Sequence, residues 1–179
     1  MKNVLVELPI WCTTLEYDFV PQGPYKNHRL EIGNAGSTFS GEEQIPNELI
    51  FLFEQEAVKF WSEYGLNPEY KPIVSQIWAN SHGKGGWTDW HRHNNVDLSA
   101  VWYPKFKEGN GNLVFKDPLD IYQGRETRYE DPEIEISINQ YDLIIFPSWL
   151  EHKTQQNNIE DKRIAVSMNF LSYYRRGKT

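Results

Sequence analysis

Residues Arg163–Phe170, "RIAVSMNF", alternate without a break. In an extended chain Arg163, Ala165, Ser167 and Asn169 share one side, and Ile164, Val166, Met168 and Phe170 share the other. The fully apolar side must pack into a core. The small, polar side headed by an arginine suits a ligand pocket, because a guanidinium forks onto a carboxylate in a way an ammonium cannot. A half-exposed sheet would produce the same alternation, so this segment leaves both readings open.

Outward from it, short strands are expected near 73–81, 88–93, 98–105, 112–116, 134–138, 142–147, 151–155 and 162–173. Gly83, Gly85 and Gly86, then Gly109 and Gly111, and the Asn139-Gln140 pair separate them. One helix precedes them. In "NELIFLFEQEAVKFWSEY" (47–64), Leu49, Phe53, Ala57, Phe60, Trp61 and Tyr64 recur at helical spacing, bounded by Pro46 and Gly65. A first strand is expected within 3–15, irregular polar surface over Phe19–Gly41, and a charged flap over 118–133. Strands in series behind one bracing helix predict a mainly β chain of β-sandwich or jelly-roll type. It reads as a single domain over 1–179, with an N-terminal strand and helix (1–70) before the barrel core (71–175).

Composition narrows the function. Seven tryptophans and ten tyrosines suit a β-rich core or a lined pocket. A net charge of −7 argues against a general nucleic-acid or anionic-membrane surface, while allowing a local basic site for a small anion. There is no signal-peptide pattern and no apolar run long enough to span a bilayer. Cys12 stands alone in an apolar segment and is expected to be buried. These features predict a cytoplasmic protein. It should act on a small molecule or peptide, and its aromatic excess leaves room for a homodimer.

The stretch Trp90–Asn95, "WHRHNN", holds two of the five histidines. On a strand His91 and His93 would point to one side with Arg92 opposite, and imidazole suits Fe, Zn, Cu or Ni. On a polar turn they would be ordinary surface. A third ligand has to come from elsewhere, and His152, after the buried run and corner "LIIFPSWLE", could face the same barrel mouth. His28 and His82 are expected to be structural or solvent-exposed. Trp102 is assigned to the core, and Trp87 and Trp90 to the cavity rim.

Taken in order, "HRHNNVDLSAVWYPK", "GNLVFKDP", "DLIIFPSWLEH" and "KRIAVSMNF" resemble the 2-oxoglutarate and Fe(II)-dependent oxygenases of bacteria and their viruses, over roughly residues 75–171. The resemblance implies a double-stranded β-helix (jelly roll, cupin-like) with Fe(II) in its mouth and 2-oxoglutarate as cosubstrate. It implies hydroxylation of a C–H bond with release of succinate and CO2. By position, His91 and His152 match the family's iron ligands, Arg163 the arginine that holds the distal carboxylate of 2-oxoglutarate, and Tyr103 a tyrosine that hydrogen-bonds it. Ala165 stands where the family often has serine, so a hydroxyl contact falls to Ser167 or another strand. His93 occupies the usual carboxylate position. Either it binds the metal, giving a three-imidazole site that holds iron weakly until 2-oxoglutarate arrives, or Asp97 or Asp89 supplies the carboxylate. The rival reading is a cupin-like metal-binding β-barrel that does not use 2-oxoglutarate.

Overall fold

The computed structural model describes residues 8–39, 45–118 and 133–174. The flap expected over 118–133 lies almost wholly outside these, as does the start of the expected first strand. Eleven strands and one helix are present in the described residues: β1 (Trp11–Thr14), β2 (Glu31–Ile32), β3 (Ala35–Ser37), α1 (Asn47–Glu63), β4 (Tyr70–His82), β5 (Trp87–Thr88), β6 (Leu98–Lys105), β7 (Leu113–Lys116), β8 (Glu133–Ile136), β9 (Asp142–Pro147), β10 (His152–Thr154) and β11 (Arg163–Tyr174). They form a six-stranded sheet in the order β1-β9-β6-β11-β4-β3, a three-stranded sheet β10-β7-β8 and the small ribbon β2-β5. All the pairings are antiparallel, and the architecture is a jelly roll.

The alternation of "RIAVSMNF" resolves into two cores, because β11 lies inside the large sheet and is buried on both faces over Arg163–Phe170. Val166, Met168 and Phe170 face α1, where they meet Leu49, Phe53, Ala57 and Phe60. Those helix residues repeat every three or four positions, so one stripe is removed from water. Pro46 begins the helix, and Gly65, with φ +72, lets the chain leave it. On the other face Ala165 joins Val101, Tyr103, Leu113, Phe115, Ile144 and Phe146 between the two sheets.

Three expectations change. Of the strand expected over 88–93 only Thr88 is regular, next to Trp87 in β5; His91 makes an isolated bridge, and Asn95 beyond it takes a left-handed φ of 63°. The stretch expected to be irregular surface contributes β2 and β3, with Lys26 bridged to Ser37. Cys12 is exposed, since β1 is an edge strand and only alternate residues turn inward. No helix among the described residues is long and apolar enough to cross a membrane.

Candidate metal centre

His91 sits outside regular strand, yet it is tied directly opposite His152. Each backbone N–H donates to the other's carbonyl at 2.9 Å. His93 is anchored two residues on, where its N–H donates to the Ser148 carbonyl at 3.0 Å. These links, rather than strand periodicity, draw the three rings together: centroids are 4.2 Å apart for His91–His152, 5.1 Å for His91–His93 and 5.3 Å for His93–His152. One ring nitrogen from each lies within 4.8 Å of the others.

The tautomers follow from the partners. His91 Nδ1 meets the Asp89 carbonyl at 2.7 Å and His152 Nδ1 meets the Leu150 carbonyl at 2.9 Å. A carbonyl only accepts, so both Nδ1 atoms carry the proton and Nε2 keeps its lone pair. Burial lowers the pKa of all three rings: His152 well below the ordinary value, His91 downward, and His93 to about 4. Mutual repulsion with His91 adds to the effect at His93 and His152. Neutral imidazoles with free Nε2 are what a divalent metal needs.

Neither candidate aspartate joins them. Asp97 Oδ2 accepts from the Ser172 N–H at 2.7 Å and its hydroxyl at 2.8 Å, at the far end of β11. Asp89 Oδ1 accepts from the Trp90 N–H at 2.8 Å. Among the described residues the only cluster suited to a metal is therefore the three histidines.

Beside them opens a cavity lined by Trp78, Asn80, Val101, Thr154, Ala165 and Ser167, among others. Arg163 is fully buried and meets this lining through its bonds to His82 and Thr154. Its Nη1 donates to the carbonyls of Asn110 (2.7 Å), Gly111 (2.6 Å) and Gln155 (3.2 Å), its Nε to His82 Nδ1 (3.3 Å) and its Nη2 to Thr154 Oγ1 (2.8 Å). A guanidinium has five N–H donors, so one, on Nη2, is left. The two-pronged grip expected of Arg163 is thus reduced to a single prong. Thr154 Oγ1 also accepts from the Thr88 N–H at 2.8 Å, which fills both its lone pairs and leaves its own O–H to donate. The Tyr103 hydroxyl is buried and has no partner among the described residues. The Asn80–Ser167 pair (3.1 Å) likewise leaves Asn80 Oδ1 unpartnered, and swapping the amide's O and N only exchanges which polar atom faces the cavity. Thr154, in one lining with three neutral imidazoles and bonded to Arg163, gives an arrangement that fits a carboxylate ligand next to a metal ion.

Four residues of this region were missed or misjudged from sequence. Thr154 had a legible signal, two residues beyond His152 on one strand. His82, expected to be structural or exposed, is 1% exposed, opposite Arg163 in the β4–β11 register. Asn80 pairs with Ala165 by the same register, and Glu31 comes from β2. No local pattern announces a register between distant strands. The expected rim also shifts: Trp90 lies under Lys153, whose Nζ is 4.5 Å from its ring, while His28, Phe39 and Trp78 line the cavity.

Comparison with known proteins gives the family and the fold. Residues 76–169, more than half the chain, match the family model described as "Putative 2OG-Fe(II) oxygenase". No curated protein sequence matches. Among solved structures, a 2OG-Fe(II) oxygenase family oxidoreductase from Burkholderia pseudomallei is similar at TM-score 0.52 and 12% identity, over 75% of this chain and 64% of that one. This chain thus spans less than two thirds of that protein. AviO1 from Streptomyces viridochromogenes Tue57 is similar at 0.52 and 13%, over 88% and 75%. The viral collagen prolyl hydroxylase of Paramecium Bursaria Chlorella virus-1, in its 2OG complex, is similar at 0.50 and 14%, over 76% and 78%. At such identities these structures speak for the fold, and the family match carries the assignment: the chain belongs to the 2OG-Fe(II) oxygenase family, whose metal and cosubstrate are Fe(II) and 2-oxoglutarate.

Proposed function

We propose that this protein is an Fe(II)/2-oxoglutarate-dependent dioxygenase that hydroxylates an amino acid, a peptide side chain or a small metabolite and releases succinate and CO2. His91, His93 and His152 hold Fe(II). Arg163, Tyr103 and Thr154 receive the distal carboxylate of 2-oxoglutarate, and Ser167 contacts the cosubstrate from the same strand as Arg163. The observation that carries this reading is that the three-histidine cluster lines one cavity with Thr154, whose hydroxyl is bonded to the buried Arg163.

Bound Fe(II) and 2-oxoglutarate supply the redox chemistry, oxidation of a C–H bond by oxygen. The chain prepares the site for them. The carbonyls of Asp89 and Leu150 hold protons on the outer nitrogens of His91 and His152, which aims each Nε2 lone pair at the metal. Three backbone carbonyls clamp Nη1 of Arg163, so that Nη2 alone turns to the carboxylate. Val101 and Ala165 make part of the cavity lining small and apolar. His28, Phe39 and Trp78 in the lining offer aromatic walls to the substrate.

The test is an anaerobic titration with Fe(II) and 2-oxoglutarate, then succinate detection against a panel of amino acids, peptides and metabolites. Succinate release stimulated by one member is the expected result. Bound metal with no succinate, coupled or uncoupled, would favour the cupin-like barrel instead. Arg163→Ala should abolish 2-oxoglutarate binding, and unchanged binding in that variant would remove the cosubstrate assignment.

A further inference from the structure

Glu31 is the only acidic side chain lining the cavity among the described residues, and its side chain is only 3% exposed. It enters from β2, which is two residues long and held by its pairing with β5. Its Oε2 lies 2.8 Å from His82 Nε2, and both carboxylate oxygens lie 3.2 Å from Thr88 Oγ1. The direction of each bond can be worked out. Arg163 can only donate, so His82 Nδ1 accepts from it and the His82 proton sits on Nε2, which faces Glu31 Oε2 at 2.8 Å and Thr88 Oγ1 at 2.9 Å. Burial and the Arg163 charge both lower the His82 pKa, so the ring between them is neutral. Glu31 is therefore joined to Arg163 through one neutral imidazole. A second route runs from Glu31 to the Thr88 hydroxyl, then from the Thr88 N–H to Thr154 Oγ1 and on to Nη2.

This arrangement answers a problem of charge. Arg163 is fully buried and no described carboxylate touches it, although a buried cation without an anion is costly. Carbonyl dipoles supply part of the compensation, and Glu31, two hydrogen bonds away, supplies the negative charge. Burial lowers the Arg163 pKa to about 10, with Glu31 acting in the opposite direction.

We infer that Glu31 is the resident counter-ion of the Arg163 subsite and sets that subsite's affinity for the distal carboxylate of the cosubstrate. The inference rests on the cosubstrate role proposed above for Arg163. Glu31 stabilises the arginine before 2-oxoglutarate arrives and opposes the second carboxylate when it does. It thus acts as a specificity-determining residue, tuning how strongly the pocket selects a dianionic 2-oxo acid. A glutamine at this position can still accept the His82 proton, so Glu31→Gln removes the charge while keeping the hydrogen bond.

The experiment is calorimetric titration of the Fe(II)-loaded protein without oxygen, using 2-oxoglutarate and 2-oxovalerate. The two share a five-carbon chain and a 2-oxo acid end, and only the first has a distal carboxylate. Glu31→Gln should tighten 2-oxoglutarate about tenfold, as expected for removing a nearby like charge in a partly buried site. Binding of 2-oxovalerate should change far less, so the ratio of the two affinities rises. Glu31→Met, similar in length and uncharged, should raise that ratio as well, whereas Glu31→Asp, which keeps the charge, should not. A ratio that is unchanged or lower in both uncharged variants would overturn the inference. A wild-type protein that binds both acids equally would instead overturn the role of Arg163, and the inference with it.

Discussion

At position 93 an imidazole stands where iron sites of the two-histidine type commonly carry a carboxylate. With His93 as the proposed third ligand, three neutral ligands would leave the full charge of the ion uncompensated until a dianion binds. We predict that protein dialysed without 2-oxoglutarate retains well under one equivalent of iron, and that adding the cosubstrate restores occupancy. His93→Asp should retain iron without it, with affinity higher by about tenfold or more, since a carboxylate supplies the missing charge. Iron content after dialysis checks both. Tyr103 poses a second test, because its buried hydroxyl lacks an acceptor among the described residues. Tyr103→Phe should leave the cosubstrate-free protein as stable, or more stable by about 1 kcal/mol, since it removes an unsatisfied polar group. The same change should weaken 2-oxoglutarate binding several-fold. Lower stability with unchanged binding would mean that the hydroxyl has only a structural role.

Among the elements, the loop before β7 and the one between β10 and β11 form the cradle of Arg163. Asn110 and Asn157, both fully buried, tie these loops together at 3.1 Å, and Asn157 also donates to the His82 carbonyl at 2.9 Å. Gly111 has φ +84, and a side chain there would meet the carbonyl oxygens of Gln155 and Gln156 at 2.7 Å. Gly111→Ala should therefore cost on the order of 2–3 kcal/mol. It should also weaken 2-oxoglutarate binding, because the Gly111 carbonyl holds Arg163 Nη1. Thermal unfolding and titration of the same variant separate the two effects, and a variant as stable as wild type would show that the cradle tolerates the shift.

For the whole molecule, four of the five histidines are held below their ordinary pKa of 6.5, chiefly by burial: His82, His91, His93 and His152. Unfolding releases that constraint, so between the folded and unfolded values the unfolded chain binds more protons. Stability should then rise with pH through this window and be lost as pH falls below about 6.5, by up to about 1.4 kcal/mol per pH unit for each histidine. Metal-free protein should unfold at progressively lower temperature from pH 7 towards pH 5, and Fe(II) affinity should fall in parallel as protons compete for the same nitrogens. A melting temperature flat across that range would contradict the burial of neutral histidines.

Local periodicity made the strands, the α1 stripe and the two-faced β11 readable, because residue spacing alone dictates which side chains share a face. Motif order made His91, His93, His152, Arg163, Tyr103 and Ser167 readable as candidates. What the chain could not declare locally depends on which distant segments cross. His91 meets His152 through a backbone bridge and His93 is held by the Ser148 carbonyl, not through the strand spacing expected of them. The β4–β11 register sets His82 opposite Arg163, and β2, from a stretch without periodic pattern, carries Glu31 to the pair. Sequence by itself determined the barrel, the helix that braces it and the ligand types. Only the tertiary structure decided the protonation and partners of those ligands, because buried charge is balanced by groups that are far apart along the chain.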